Sequence, residues 1–199
     1  MNKHKKSRAK EYAVASQEQS TAIGRYLALM DEQREKVFMA LEGINPEQLW
    51  QRPAPREWSI GEILNHNTLV IQSMFPMVRF AWRWFRWTCK LFEDRPIQTD
   101  IDDPYRKKGY PHWEGFLWKP QYSHRNQVPL SRLLEETRRM HQEVRDFFEQ
   151  KDESVLGHIF FILPVFGIFN LIQALRIGVY HGQLHFDDVI AQWQAIKTQ

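Results

Sequence analysis

Cysteine is almost absent: the 199-residue chain has one, Cys89, which excludes an intrachain disulfide and any cysteine-built zinc cage. A reducing, cytoplasmic setting is the corresponding expectation. Glycine is scarce, at nine residues, and neither G-x-G-x-x-G nor G-x-x-x-x-G-K occurs, so nucleotide enzymes built on phosphate-cradling loops drop out. Acid is missing from the first ten residues, where Lys3, Lys5, Lys6, Arg8 and Lys10 supply five of the 27 basic groups. That tail accounts for the pI near 9.0. The rest of the chain holds 22 basic against 24 acidic side chains, and a slightly negative folded part is not a nucleic-acid surface. No apolar run follows the basic start, so no signal peptide is expected. The uncharged stretch from Ser154 to Leu175 contains Pro164, Gly167, Asn170 and Gln173, and it reads as a buried loop leading into a core helix, with no membrane span.

What is present is ordinary globular material, 43% hydrophobic and 26% charged, at a length that suits one domain. Residues 1–10 read as a solvated tail and residues 11–199 as a single domain. Apolar positions Ala15, Ile23, Leu27, Met30, Val37 and Leu41 recur at helical spacing and predict a first helix from Glu11 to Leu41, ended by Gly43 and Pro46. Ser59-Ile-Gly-Glu62 spells a capping box and opens a second helix that runs past Phe75 and bends near Pro76. Five prolines between Arg95 and Pro129 mark a long connection, of the kind that forms binding surfaces. A third helix is predicted over Ser131 to Gln150 and a fourth from Gly167 nearly to the end. The fold class expected is all-α, a four-helix bundle of up-down-down-up type with the long loop between helices 2 and 3.

Chemistry concentrates in few places. Tyr180-His-Gly-Gln-Leu-His185 puts His181 and His185 four residues apart on a helix, about 6 Å along the axis, so both imidazoles project from one face and can grip one ion. The spacing alone does not separate a chelating pair from two packed or solvent-facing histidines. No Glu follows His181, which excludes the zinc-peptidase helix H-E-x-x-H. His66, two turns into the second helix, would complete a three-nitrogen face if the helices oppose one another.

The Trp58-Ser-Ile-Gly-Glu-Ile-Leu-Asn-His66 segment, the Pro164-Val-Phe-Gly167 turn and the terminal His-x-x-x-His followed by Asp188-Val-Ile resemble, in that order, the DinB-like superfamily of metal-binding four-helix bundles. The likeness extends over the order and spacing of elements from about Glu11 to Gln194. It implies one divalent metal, zinc or nickel, held by His66, His181 and His185. It also implies chemistry like that of relatives in which the metal activates a low-molecular-weight thiol: bacillithiol S-transferases and mycothiol-dependent isomerases. The expected function is thus a metal-dependent enzyme, most simply a thiol-dependent S-transferase acting on a small molecule, with a metal-dependent hydrolase or a non-catalytic metal-containing stress-response protein as the alternatives.

Two departures from the family pattern stand out. Asp188 occupies a position often held by Gln, where it shares a stripe with both chelating histidines and reads as a catalytic base or as an orienter of a ligand. The stretch from Met77 to Trp118 is longer and more aromatic than the pattern. Glu62 shares a face with His66, but the capping box accounts for it better than a ligand role. Small residues near the histidines, Ala174, Gly178 and Ser73, predict a substrate pocket, with Tyr180 and Arg176 as further contacts. Phe80, Trp82, Trp84, Phe85 and Trp87 interleave with Arg79, Arg83 and Arg86 to leave two apolar sides. The expectation is that this segment walls the site or forms a homodimer contact, covered by loop aromatics such as Trp113, Phe116 and Trp118, and is not a membrane anchor.

Overall fold

A computed structural model describes residues 21–91, 94–106, 118–163 and 167–198. The basic tail, residues 11–20 of the first predicted helix, Trp113 and Phe116, and the turn at 164–166 lie outside the described residues. The chain is mostly helical: α1 (Ala22–Ala40), α2 (Pro46–Trp50), α3 (Ile60–Phe85), α4 (Leu130–Glu149), α5 (Glu153–Gly157) and α6 (Leu171–Lys197), with a hairpin of β1 (Phe160–Leu163) and β2 (Gly167–Asn170) before α6. Single 3-10 turns lie at Cys89–Leu91 and Pro104–Arg106.

Each helix start follows from local chemistry. The Thr21 hydroxyl caps α1 by accepting from the Gly24 amide at 3.0 Å. Gly43 ends the turn after α1 in the left-handed region at φ 83°, a conformation that other residues resist. Capping boxes open α2 (Asn45 and Gln48), α3 (Ser59 and Glu62) and α6 (Asn170 and Gln173). The second of these is the box expected from sequence. Gly61 lets the buried Trp50 ring lie flat on the first turn of α3, where an added Cβ would meet ring carbons at 2.9 Å. Helix α3 then continues unbroken through Pro76.

One prediction needs correction. The stretch before α6 is not a buried loop. It forms α5 and then the antiparallel hairpin, in which Ile162 pairs with Ile168 and both side chains are about two-thirds exposed. A short, continuous apolar run such as Phe160-Phe-Ile-Leu163 carries no period by which a sequence could distinguish a four-residue strand from a buried helix segment. At the aromatic helix end Phe80, Trp84, Trp87 and Leu91 are exposed, while Val78, Ala81 and Cys89 face the core; Trp113 and Phe116, expected to cover it, lie outside the described residues.

The four long helices pack in a ring of contacts, α1 against α6 and α4, and α3 against α4 and α6. Their interior is two apolar clusters, one around Leu27, Phe75, Leu171 and Val179, the other around Val37, Leu64, Phe186 and Trp193. Between them on α3 lie the buried polar residues Asn65, His66, Asn67 and Thr68; on α4 lie Thr137 and His141; on α6 lie His181 and His185. A polar layer of this kind is costly to bury unless its groups are partnered. On one side Thr68 and Thr137 satisfy each other at 3.0 Å. On the other stand the three histidines.

Candidate metal centre

His66, on α3, and His181 and His185, one turn apart on α6, come together so that one ring nitrogen of each lies within 4.8 Å of the others. Ring centroids are 4.5 Å apart for His181 and His185, 4.8 Å for His66 and His185, and 5.5 Å for His66 and His181. Small side-chain rotations bring such a set onto one ion at the usual bond of about 2.1 Å. The spacing on α6 and the resemblance at His66 thus point to a single cluster, the one group among the described residues that could hold a metal ion.

The remaining nitrogens are held from behind. His66 Nδ1 donates to the Trp118 carbonyl at 2.7 Å, leaving Nε2 as an unprotonated lone pair, and the Trp58 ring packs at 4.7 Å from the His66 ring. His181 Nδ1 lies 3.0 Å from the Tyr105 hydroxyl. His181 Nε2 is buried without a hydrogen-bond partner; with Nδ1 donating to the Tyr105 hydroxyl, it presents a lone pair to an ion in the cluster. Burial lowers the pKa of His66 to about 4, against a smaller raising effect of its bond to the Trp118 carbonyl and with a still smaller lowering by His185. Burial, then the neighbouring His185 and His66, lowers that of His181 well below the usual imidazole range. Both rings are therefore neutral at physiological pH, the state in which imidazole binds metal.

Sequence reasoning missed the strap that provides these partners. Asn170 Nδ2 donates to the Gln98 carbonyl at 2.7 Å, Tyr26 to Thr99 at 3.1 Å, and Tyr180 to Ile101 at 3.2 Å, which lays residues 98–105 along α1 and α6 and brings Tyr105 to His181. At the far end of the same connection, Asn65 Oδ1 accepts from the Gln121 amide at 2.6 Å and sets Trp118 beside His66. The recurring aromatics of the connection were visible; their partners were not.

The other predicted site residues are placed as follows. Asp188 is exposed, with Oδ2 at 3.7 Å from His185 Nδ1, within ion-pair range and beyond a hydrogen bond. Gly178 faces open space, where an added Cβ meets nothing within 4 Å, and Ala174 is half-buried. Ser73 is exposed and its hydroxyl donates to Leu69 within α3 at 2.8 Å. The Tyr180 ring carries Arg176 at 4.1 Å, and Arg176 also faces Asp100 at 3.3 Å, so both residues anchor the strap. Glu62 accepts from Ser59 and from Arg52, whose Nε lies at 2.8 Å. Burial would raise its pKa, but Arg52 and Ser59 outweigh that and hold the carboxyl below its usual range. With both oxygens engaged, Glu62 is a cap and ion-pair partner. Cys89 is buried, its Sγ on the carbonyls of Phe85 and Val155, and is no nucleophile for this centre.

A family model of the DinB superfamily matches residues 29–189. An uncharacterized protein of Bacillus subtilis (strain 168), YuaE, is 24% identical over 174 residues, which cover 87% of this chain and 98% of that relative. With the family model covering both halves of the histidine cluster and reaching into all four long helices, the chain belongs to the DinB superfamily.

Proposed function

We propose that the protein is a metal-dependent enzyme in which His66, His181 and His185 hold one divalent ion, zinc or nickel, in a four-helix bundle of up-down-down-up order. The observation that carries this reading is the buried, unpartnered Nε2 of His181 in a cluster with His66 and His185. Three nitrogen ligands suit a borderline metal and leave a coordination position open. A metal held in this way lowers the pKa of a bound thiol or water and so supplies a nucleophile at neutral pH. Superfamily relatives favour a low-molecular-weight thiol, and the reaction proposed is S-transfer to a small electrophilic substrate in the cytoplasm. Asp188 orients His185 or accepts the thiol proton, and the open space at Gly178, with Ala174, Ser73 and Tyr180, forms the substrate side.

Metal analysis of the purified protein beside His66→Ala and His181→Ala tests the centre. About one equivalent is expected in the wild type and a large loss in each variant, while equal content in all three removes the proposal. A screen of low-molecular-weight thiols with an electrophilic acceptor, run against ester and amide substrates, tests the reaction. Thiol-dependent turnover abolished by EDTA and by His185→Ala is expected; hydrolysis without thiol makes the protein a hydrolase, and full metal occupancy without turnover makes it a binding protein.

A further inference from the structure

Large apolar side chains that remain exposed are concentrated on one part of the molecule. Among the described residues, nine of the eleven lie on the end of α3, on the turn after it and on the hairpin: Met77, Phe80, Trp84, Phe85, Trp87, Leu91, Phe160, Ile162 and Ile168. These elements adjoin one another, since β1 packs on α3 and Cys89 Sγ, in the turn after α3, donates to the Val155 carbonyl of α5 just ahead of the hairpin. Concentration of this kind on a water-facing surface marks an interaction site.

The charges beside it select the partner. Arg79, Arg83 and Arg86 are all exposed, and no carboxylate among the described residues forms an ion pair with any of them. Arg79 lies over the Phe75 ring at 6.0 Å and Arg86 over the Trp87 ring at 4.9 Å, so the cations are held among the aromatics. Two copies meeting about a two-fold axis here would bring six unpaired guanidinium groups together, a like-charge contact that opposes association. An anionic bilayer meets the same surface favourably. Its headgroups supply the missing negative charge, tryptophan is at home at the headgroup level, and the Ile162–Ile168 pair and Leu91 are aliphatic wedges for the acyl boundary.

We infer that the protein docks peripherally on anionic phospholipid membranes through the Trp/Arg end of α3 and the exposed face of the hairpin. The aromatic segment is thus assigned a lipid surface in place of the subunit contact that its sequence suggests. The docking does not depend on the metal centre.

The test is sedimentation of the full chain with vesicles of phosphatidylcholine and with vesicles of phosphatidylcholine and phosphatidylglycerol in equal amounts. Binding to the mixed vesicles alone is expected, weakening with salt. Partitioning should fall at least tenfold in Trp84→Ser/Trp87→Ser. It should fall about fivefold for each arginine removed in Arg83→Gln/Arg86→Gln. Ile162→Ser/Ile168→Ser repeats the apolar test on a second element if the tryptophan pair compromises folding, which circular dichroism reports. Metal content should be unchanged in all three. No sedimentation with the mixed vesicles, or binding equal in every variant, overturns the inference. So does a shift from dimer to monomer in the tryptophan variant with vesicle binding unaffected, which would make the surface an interface between copies.

Discussion

At the scale of single residues, the centre depends on groups that never touch an ion. Tyr105 reads as a positioning residue: its hydroxyl lies 3.0 Å from His181 Nδ1 and so fixes the ring that joins His66 and His185 in the cluster. Outer partners of metal-bound histidines are typically worth tenfold to a hundredfold in affinity. Tyr105→Phe should therefore bind metal about tenfold more weakly in competition with a chelator while melting close to the wild type. An unchanged affinity would reduce Tyr105 to a packing residue. The Trp118 carbonyl does the same for His66, but as a backbone group it survives any substitution of its side chain. Neither partner was open to sequence reading, because Tyr105 is 76 residues from His181 and Trp118 is 52 from His66. Glu62 shows the opposite case. Its cap lies three residues away at Ser59, within reach of a local motif, and the structure agrees with that reading.

Elements carry a different lesson, since α3 must present His66 at a fixed depth. Its start is set by the Ser59–Glu62 box and by the Trp50 ring against Gly61, five residues before His66. Gly61→Ala puts a methyl at 2.9 Å from the ring, and the packing offers no flexible group to yield. Overpacking of this sort costs about 1–3 kcal/mol, so the variant should lose several degrees in Tm by calorimetry, with metal content falling if α3 shifts. A variant as stable as the wild type would show that Trp50 moves freely. The hairpin is the element that sequence obscured. The start of α6, by contrast, carried a readable signal, since Asn170 and Gln173 spell the same three-residue box as Ser59 and Glu62, and the helix begins there and not at Gly167.

For the whole molecule, the polar layer between the two apolar clusters couples stability to pH. Beside the centre lies His141, buried on α4 with Nδ1 unpartnered; burial, and then the charge of Arg34, lowers its pKa to about 4, against a smaller opposing effect of Asp31. An unfolded chain takes a proton there near the ordinary value of 6.5, and the folded chain refuses it until about 4. Between those values the unfolded state binds more protons, so stability is complete above 6.5 and is lost as the pH falls, by up to about 3 kcal/mol for this one group. His141→Leu should flatten that part of the Tm profile from pH 7 to pH 4 in metal-free protein; a slope identical to the wild type would place the acid sensitivity elsewhere. How much of the molecule was readable divides along the reach of the interactions. Helical period, three-residue caps and the His181–His185 spacing act within one or two turns, and the sequence held them outright, together with a motif order that pointed to the superfamily. The meeting of His66 with α6, the strap that orients both inner histidines and the exposure of the aromatic face join residues dozens of positions apart. Those contacts exist only once the helices pack, because a chain records which side chains are apolar but not which of its apolar faces will find a partner.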